Sequence, residues 1–166
     1  LGRRVALKII HPHSQDEIAL VERFRDEARF AAQLSHPHIV TVHDFGEEED
    51  GLLYMAMELL VGTDLRDAID GDLLTTLDEK LDVMDGILAA LDYAHAKGVV
   101  HRDVKPANIH LVGPWGSSGG SAERQVKIMD FGLARLSTSE MTQEGIVLGT
   151  PNYMSPEQAL GDKVDG

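Results

Sequence analysis

Six side chains in this sequence are of the types that handle phosphates and a divalent metal: Lys8, Glu27, Asp103, Lys105, Asn108 and Asp130. Three of them share one stretch, HRDVKPANI, from His101 to Ile109. Transferring the terminal phosphoryl of ATP asks a protein for little covalent chemistry. It asks for metal ions bridging the phosphates, cations over the developing charge, and a base that orients the attacking hydroxyl. Asp103 suits that base, and Lys105, two residues on along an extended loop, points the same way and can neutralise the moving phosphoryl. Asn108 offers magnesium a hard oxygen, and Asp130 of the triplet DFG offers a carboxylate from the next strand end. Lys8 can hold phosphate oxygens, with Glu27 as its partner. Each residue alone is a weak signal, because a lone Asp-x-Lys or a lysine near a strand end is usually an ordinary surface feature. The informative fact is the ordered series VALK, an inward helical glutamate, HRDVKPANI, DFG and GTPNYMSPE.

Local patterns suggest the elements that carry these residues. Arg3 to Ile10 reads as a strand, broken by HPHSQD with Pro12 as punctuation. From about Asp16 to Leu34 the pattern is helical, with Leu20, Phe24, Ala31 and Leu34 on one stripe. Glu27 falls on the same stripe, where a carboxylate is costly unless a cation meets it. Ile39 to Phe45 and Leu52 to Leu60 read as strands joined in a hairpin by the acidic turn Glu47 to Gly51. Gly62 to Asp70 reads as a short helix with Thr63 as N-cap. A longer helix follows, with Leu77, Leu81, Met84, Leu88 and Leu91 on one face and Gly98 at its end. IHLV and VKIMD look like two strands. Between them Gly113 to Gln125, rich in glycine and serine, reads as a mobile surface loop on which Trp115 is decoration. That loop fits no phosphate-cradling pattern. After Ala134 the chain is loop-like until SPEQAL begins a helix.

Composition narrows the function classes. Hydrophobic residues make up 43% of the 166, as in globular proteins. Acidic residues outnumber basic by 28 to 15, a formal charge of -13 that repels nucleic acid and anionic membrane surfaces. With no cysteine there is neither disulfide framework nor thiolate chemistry. No apolar run has the length to span a bilayer and no signal-peptide pattern opens the chain. The two HPH clusters, at 11–13 and 36–38, read as proline-forced turns and not as metal ligands.

The motif series resembles the eukaryotic-type (Hanks-type) protein kinases, closest to their bacterial serine/threonine branch. The resemblance implies an α+β, bilobal, protein-kinase-like fold in truncated form: residues 1–60 as part of a β-rich N-lobe and 61–166 as part of a helical C-lobe. It implies ATP and Mg2+ as cofactors and protein substrates with serine or threonine acceptors. Lys8 would pair with Glu27 and grip the phosphates, Asp103 would be the base, and Lys105 would mark a Ser/Thr kinase. Asn108 and Asp130 would be the magnesium ligands. Ala6, Met57, Glu58, Leu60 and His110 would line the adenine site, with Met57 as gatekeeper and the main chain of Glu58 and Leu60 meeting the base. Arg102 resembles the arginine of kinases activated by phosphorylation, with Thr142 as first candidate acceptor and Thr138 and Ser139 behind it. Thr150 would hydrogen-bond near Asp103 and Lys105, and Glu157 of SPE would lock the far end of that segment. Autophosphorylation in trans, no nucleic acid, no membrane contact from this segment, and a cytoplasmic setting, free or as part of a membrane-anchored kinase, complete the expectation.

The match also has departures. Only seven residues precede Lys8, so the glycine-rich loop of such kinases is absent, and the chain stops at DKVDG before their long buried helix. Together with Leu1 in first place, this reads as a piece of a longer kinase with apolar surface left uncovered. His110 stands where an aliphatic residue usually lies beneath the adenine. The rival reading, from another class, is a non-catalytic remnant or pseudokinase acting as a binding module. A small-molecule phosphotransferase would share the loop spacing but not DFG followed by GTPNYMSPE.

Overall fold

In the computed structural model, residues 2–10, 18–49, 51–116, 124–131, 151–160, 162 and 164–165 are described. The first sheet is built from β1 (Val5–Ile10), β2 (Val42–Glu47) and β3 (Leu53–Glu58), antiparallel in the order β1-β3-β2. Alternation along β1 turns Leu7 and Ile9 outward and Lys8 inward, opposite Met55 of β3. The β2–β3 turn closes as the acidic run suggested: Glu48 and Leu52 bond across it, and Gly51 takes a φ of 81° that favours glycine. Helix α1 (Ile18–Gln33) packs Phe24 and Ala28 on Leu53 and Met55, a small core beneath this sheet. Of the expected stripe, Phe24, Ala31 and Leu34 are buried with Glu27, while Leu20 lies outside the described side chains.

The second sheet is β4 (Gly62–Asp64), β5 (Ile109–Val112) and β6 (Gln125–Ile128), antiparallel in that order. Here the sequence expectation needs correction. Gly62 to Asp64 is strand, with Thr63 opposite Leu111, and helix α2 (Leu65–Asp70) starts only after it. Asp64, not Thr63, is the N-cap and accepts from the Asp67 amide at 2.8 Å. A second correction concerns Ile39 and Val40, which do not extend β2. Both are buried, and the run is taken up by β6 through Val40 N–H to Ile128 O and Ile128 N–H to His38 O, each 2.9 Å.

The largest revision is helix α3 (Leu77–Ala96). Its buried face is Val83, Gly86, Ile87, Ala90 and Ala94, which lie with Leu111, Val126, Ile128 and Phe131 in the main core. Most of the expected leucine stripe points outward: Leu77, Leu81, Met84 and Leu88 are 50% to 70% exposed, while Leu91 is partly buried against the main core. The helix carries two apolar stripes, and the small one wins the core because it lets the helix approach β6. A Cβ on Gly86 would already stand 3.0 Å from that of Val126. Trp115 is likewise not decoration. It is buried in the core, its Nε1 donates to Val112 O at 3.0 Å, and the Arg124 guanidinium lies 5.5 Å above its ring. Residues 117–123 of that loop are outside the described set. Among the described residues no helix is long and apolar enough to cross a membrane.

Candidate active site

Lys8 is the meeting point of the two sheets' contributions. Its Nζ donates to Glu27 Oε1 at 2.7 Å and to Asp130 Oδ1 at 3.1 Å, joining β1, α1 and the residue that follows β6 by two positions. Burial works against the Lys8 charge, but the carboxylates of Asp130 and Glu27 outweigh it and hold its pKa above the usual lysine value. Burial likewise pushes the Glu27 carboxyl up to about 7, against the pull of Lys8. Glu27 Oε2 is buried with no hydrogen-bond partner among the described residues.

The HRDVKPANI loop is tied to itself and to β6. Asp103 Oδ2 accepts from Lys105 Nζ at 2.7 Å and from Asn108 Nδ2 at 2.9 Å, and Asn108 Nδ2 also reaches Asp103 O at 2.9 Å. Asn108 is buried at the end of a 3₁₀ turn (Pro106–Asn108) whose first residue, a proline, has no N–H to satisfy. Its carbonyl accepts from Met129 N–H at 2.9 Å, which sets Asn108 beside the DFG segment. His101 clamps the same two segments. It is buried against Phe131, its Nε2 bonds Met129 O at 2.9 Å and its Nδ1 accepts from the Asp103 amide at 3.2 Å. Burial lowers its pKa, so the ring that fits is the neutral one with its proton on Nε2. Arg102 and Asp130 sit at φ 64° and 58°, left-handed conformations that cost a non-glycine residue energy. Such backbone is held only where the surroundings over-determine it.

Four of the expected adenine-site residues, Ala6, Met57, Glu58 and Leu60, lie on β1 and β3 or just past them. Ala6 pairs with Met57 and Val5 with Glu58 across β1 and β3, and half-buried Leu60 follows. His110 lies on β5 between Asp64 and Lys127, with burial lowering its pKa and its Nε2 buried without a hydrogen-bond partner among the described residues. Thr138, Ser139, Thr142 and Thr150 lie outside the described residues. Glu157, at the start of helix α4 (Pro156–Leu160), is exposed; its own backbone and Ser155 hold its carboxyl below the usual range. A tie from this segment to the loop runs through Gln158, whose Nε2 donates to Arg102 O at 2.5 Å.

Sequence reasoning missed three further residues. Lys127 is buried on β6 and bonds Glu58 Oε1 at 2.7 Å. Glu79, buried at the start of α3, accepts from the Thr75, Thr76 and Gly116 amides and from Arg124. The Thr76 amide foremost, with those of Thr75 and Gly116, draws its carboxyl down to about 2 against the effect of burial. Gln158 is the third. The sequence does hold one signal for Glu79, the pattern T-x-x-E that makes a capping box with Thr76.

A family model described as "Protein kinase domain" matches residues 1–165. Over 166 residues the chain is 44% identical to "Serine/threonine-protein kinase PknA" of Mycobacterium tuberculosis, covering 97% of this chain and 36% of that protein. It is 41% identical over 170 residues to "Serine/threonine-protein kinase PknB" of Mycobacterium leprae, covering 99% of this chain and 26% of that one. Among solved structures, the Mycobacterium tuberculosis PknI kinase domain superimposes with a TM-score of 0.69 at 32% identity, over 97% of this chain and 56% of that domain. The chain thus spans about a third or less of the length of these curated relatives.

Proposed function

This chain belongs to the protein kinase family, and from that premise we propose that it carries the catalytic middle of a serine/threonine kinase, moving the γ-phosphoryl of ATP to a protein hydroxyl. The observation that carries the proposal is the Lys8 junction. Three residues far apart in sequence, Lys8, Glu27 and Asp130, meet within 3.1 Å. In this reading Lys8 holds phosphate oxygens and Glu27 keeps its ammonium in place. Asp103, fixed through Oδ2 by Lys105 and Asn108, takes the proton of the attacking hydroxyl. Lys105 stands beside it to meet the negative charge of the moving phosphoryl.

The donors near DFG suit magnesium. Asn108 spends Nδ2 on Asp103, so what it has left to offer is a carbonyl oxygen, and Asp130 adds a carboxylate. Two hard oxygens, with phosphate oxygens and water making up the rest, are what magnesium accepts. Bound there, the ion would supply charge neutralisation between the phosphates. Ala6, Met57 and the main chain of Glu58 and Leu60 would border the adenine, and His110 would lie beneath it. β1 stands at the edge of its sheet, with Leu7 and Ile9 exposed, so a glycine-rich strand pair would complete the site from that side.

The test is Asp103→Asn in a chain that includes such a strand pair. Loss of one acid–base group should cut kcat by about 10²- to 10⁴-fold, with ATP affinity retained. Near-normal turnover would remove Asp103 from the role. No turnover in the unsubstituted chain would favour the non-catalytic binding module.

A further inference from the structure

Among the described residues Lys127 is the one buried lysine or arginine, 5% exposed on β6. Its Nζ donates to Glu58 Oε1 at 2.7 Å and to Ile39 O at 3.3 Å. Glu58 closes β3, where the chain leaves the first sheet for the second. The same Oε1 accepts the Thr41 amide at 2.7 Å, and Glu58 returns its own amide to Thr41 O at 2.9 Å. The segment from His38 to Thr41 is in turn sewn to β6 on its other side, through Ile128. Three stretches distant in sequence, the segment after α1, the end of β3, and β6, therefore meet at one ammonium.

A buried ion pair seldom adds net stability, because desolvating both groups offsets their attraction. An apolar pair of the same volume would fill this space as well. What the ion pair supplies is direction. With Oε1 engaged by two donors, the Glu58 side chain has one orientation, and turning its main chain breaks both bonds.

We propose that Lys127 is a positioning residue for nucleotide binding. By fastening the Glu58 side chain to the His38–Thr41 segment, it presents the main chain of Glu58 and Leu60 to the edge of the adenine base in a single orientation. The inference rests on reading the end of β3 as the adenine-contacting hinge. It assigns the affinity for the base partly to a residue with no contact to the nucleotide. Lys127→Met keeps length and packing but removes the ammonium, leaving Glu58 tied to Thr41 alone and the hinge main chain less restrained against β6. The cost falls on ground-state and transition-state binding alike, so it shows in KM and not in kcat.

The experiment measures KM for ATP and kcat with a serine-containing peptide, alongside the ADP dissociation constant by calorimetry, in a chain that includes the glycine-rich strand pair. Lys127→Met should raise KM and the ADP constant about tenfold while kcat stays within about twofold, and Lys127→Arg should keep KM within about threefold. An unchanged KM in Lys127→Met overturns the proposal, as does a fall in kcat alone, the mark of a merely structural role. Should Lys127→Met not fold, Glu58→Met, which removes the acceptor shared by Lys127 and Thr41, is read on the same constants, and an unchanged KM there overturns the proposal equally. Failure of the kinase reading would look different: the unsubstituted protein would bind no nucleotide, and both would fall together.

Discussion

Glu27 shows what a single residue's environment does. Burial holds its carboxyl near 7, above the ordinary 4.5, so between those values the folded chain keeps a proton that the unfolded chain releases. The stability contributed by this group is therefore present below the unfolded value and lost as pH rises through about 7. Lys8, raised above 10.5, acts only in an alkaline window beyond that range. His36, His101 and His110 are all lowered, chiefly by burial, and push stability the opposite way near neutrality. A comparison with Glu27→Gln therefore isolates the carboxyl. We expect urea midpoints measured between about pH 5 and about pH 8 to drop less in Glu27→Gln than in the parent. Equal drops would mean that Glu27 titrates normally. The pairing of Glu27 is legible in the amino-acid sequence, because a carboxylate on an apolar stripe demands a cation. That of Lys127 is not: a lysine in a β-rich run reads as a surface residue until the partner strand is known.

At the scale of elements, close backbone approach decides what the sequence pattern leaves open. A Cβ on Gly62 would lie 1.9 Å from Leu111 O, so β4 and β5 can pair at this point only through glycine. Gly62→Ala should destabilise the chain by about 1–3 kcal/mol, measured by chemical denaturation; an unaltered midpoint would show that the strands lie farther apart. The start of α3 is set by chemistry visible in the sequence, since Thr76 and Glu79 satisfy each other's backbone amides. That Glu79 also fastens Gly116 and Arg124 was not legible, because those partners lie 37 and 45 residues away. The same distance effect explains Trp115. Glycine and serine around it suggest a loose loop, yet the indole finds the main core from the loop's first turn.

At the scale of the molecule, the outward stripe of α3 stands out among the described residues. Leu77, Leu81, Met84 and Leu88 form an apolar row on a chain that otherwise carries a charge of -13. Contiguous exposed apolar surface drives association. These 166 residues, prepared alone, should elute above monomer size in a concentration-dependent way, and Leu81→Glu with Leu88→Glu should shift them toward monomer in light scattering. Monomer at all concentrations would show the stripe to be covered by the chain's own residues. The sequence by itself determined the family, the order of the motifs, and which residues could meet a phosphate, because spacing and residue type are local properties of the chain. The tertiary structure alone decided which of two apolar stripes α3 buries, that Ile39 and Val40 join β6 and not β2, and that Lys127 reaches Glu58. Each of these is a competition between partners far apart in sequence, settled by how closely two backbones can approach and by which buried polar groups are then satisfied.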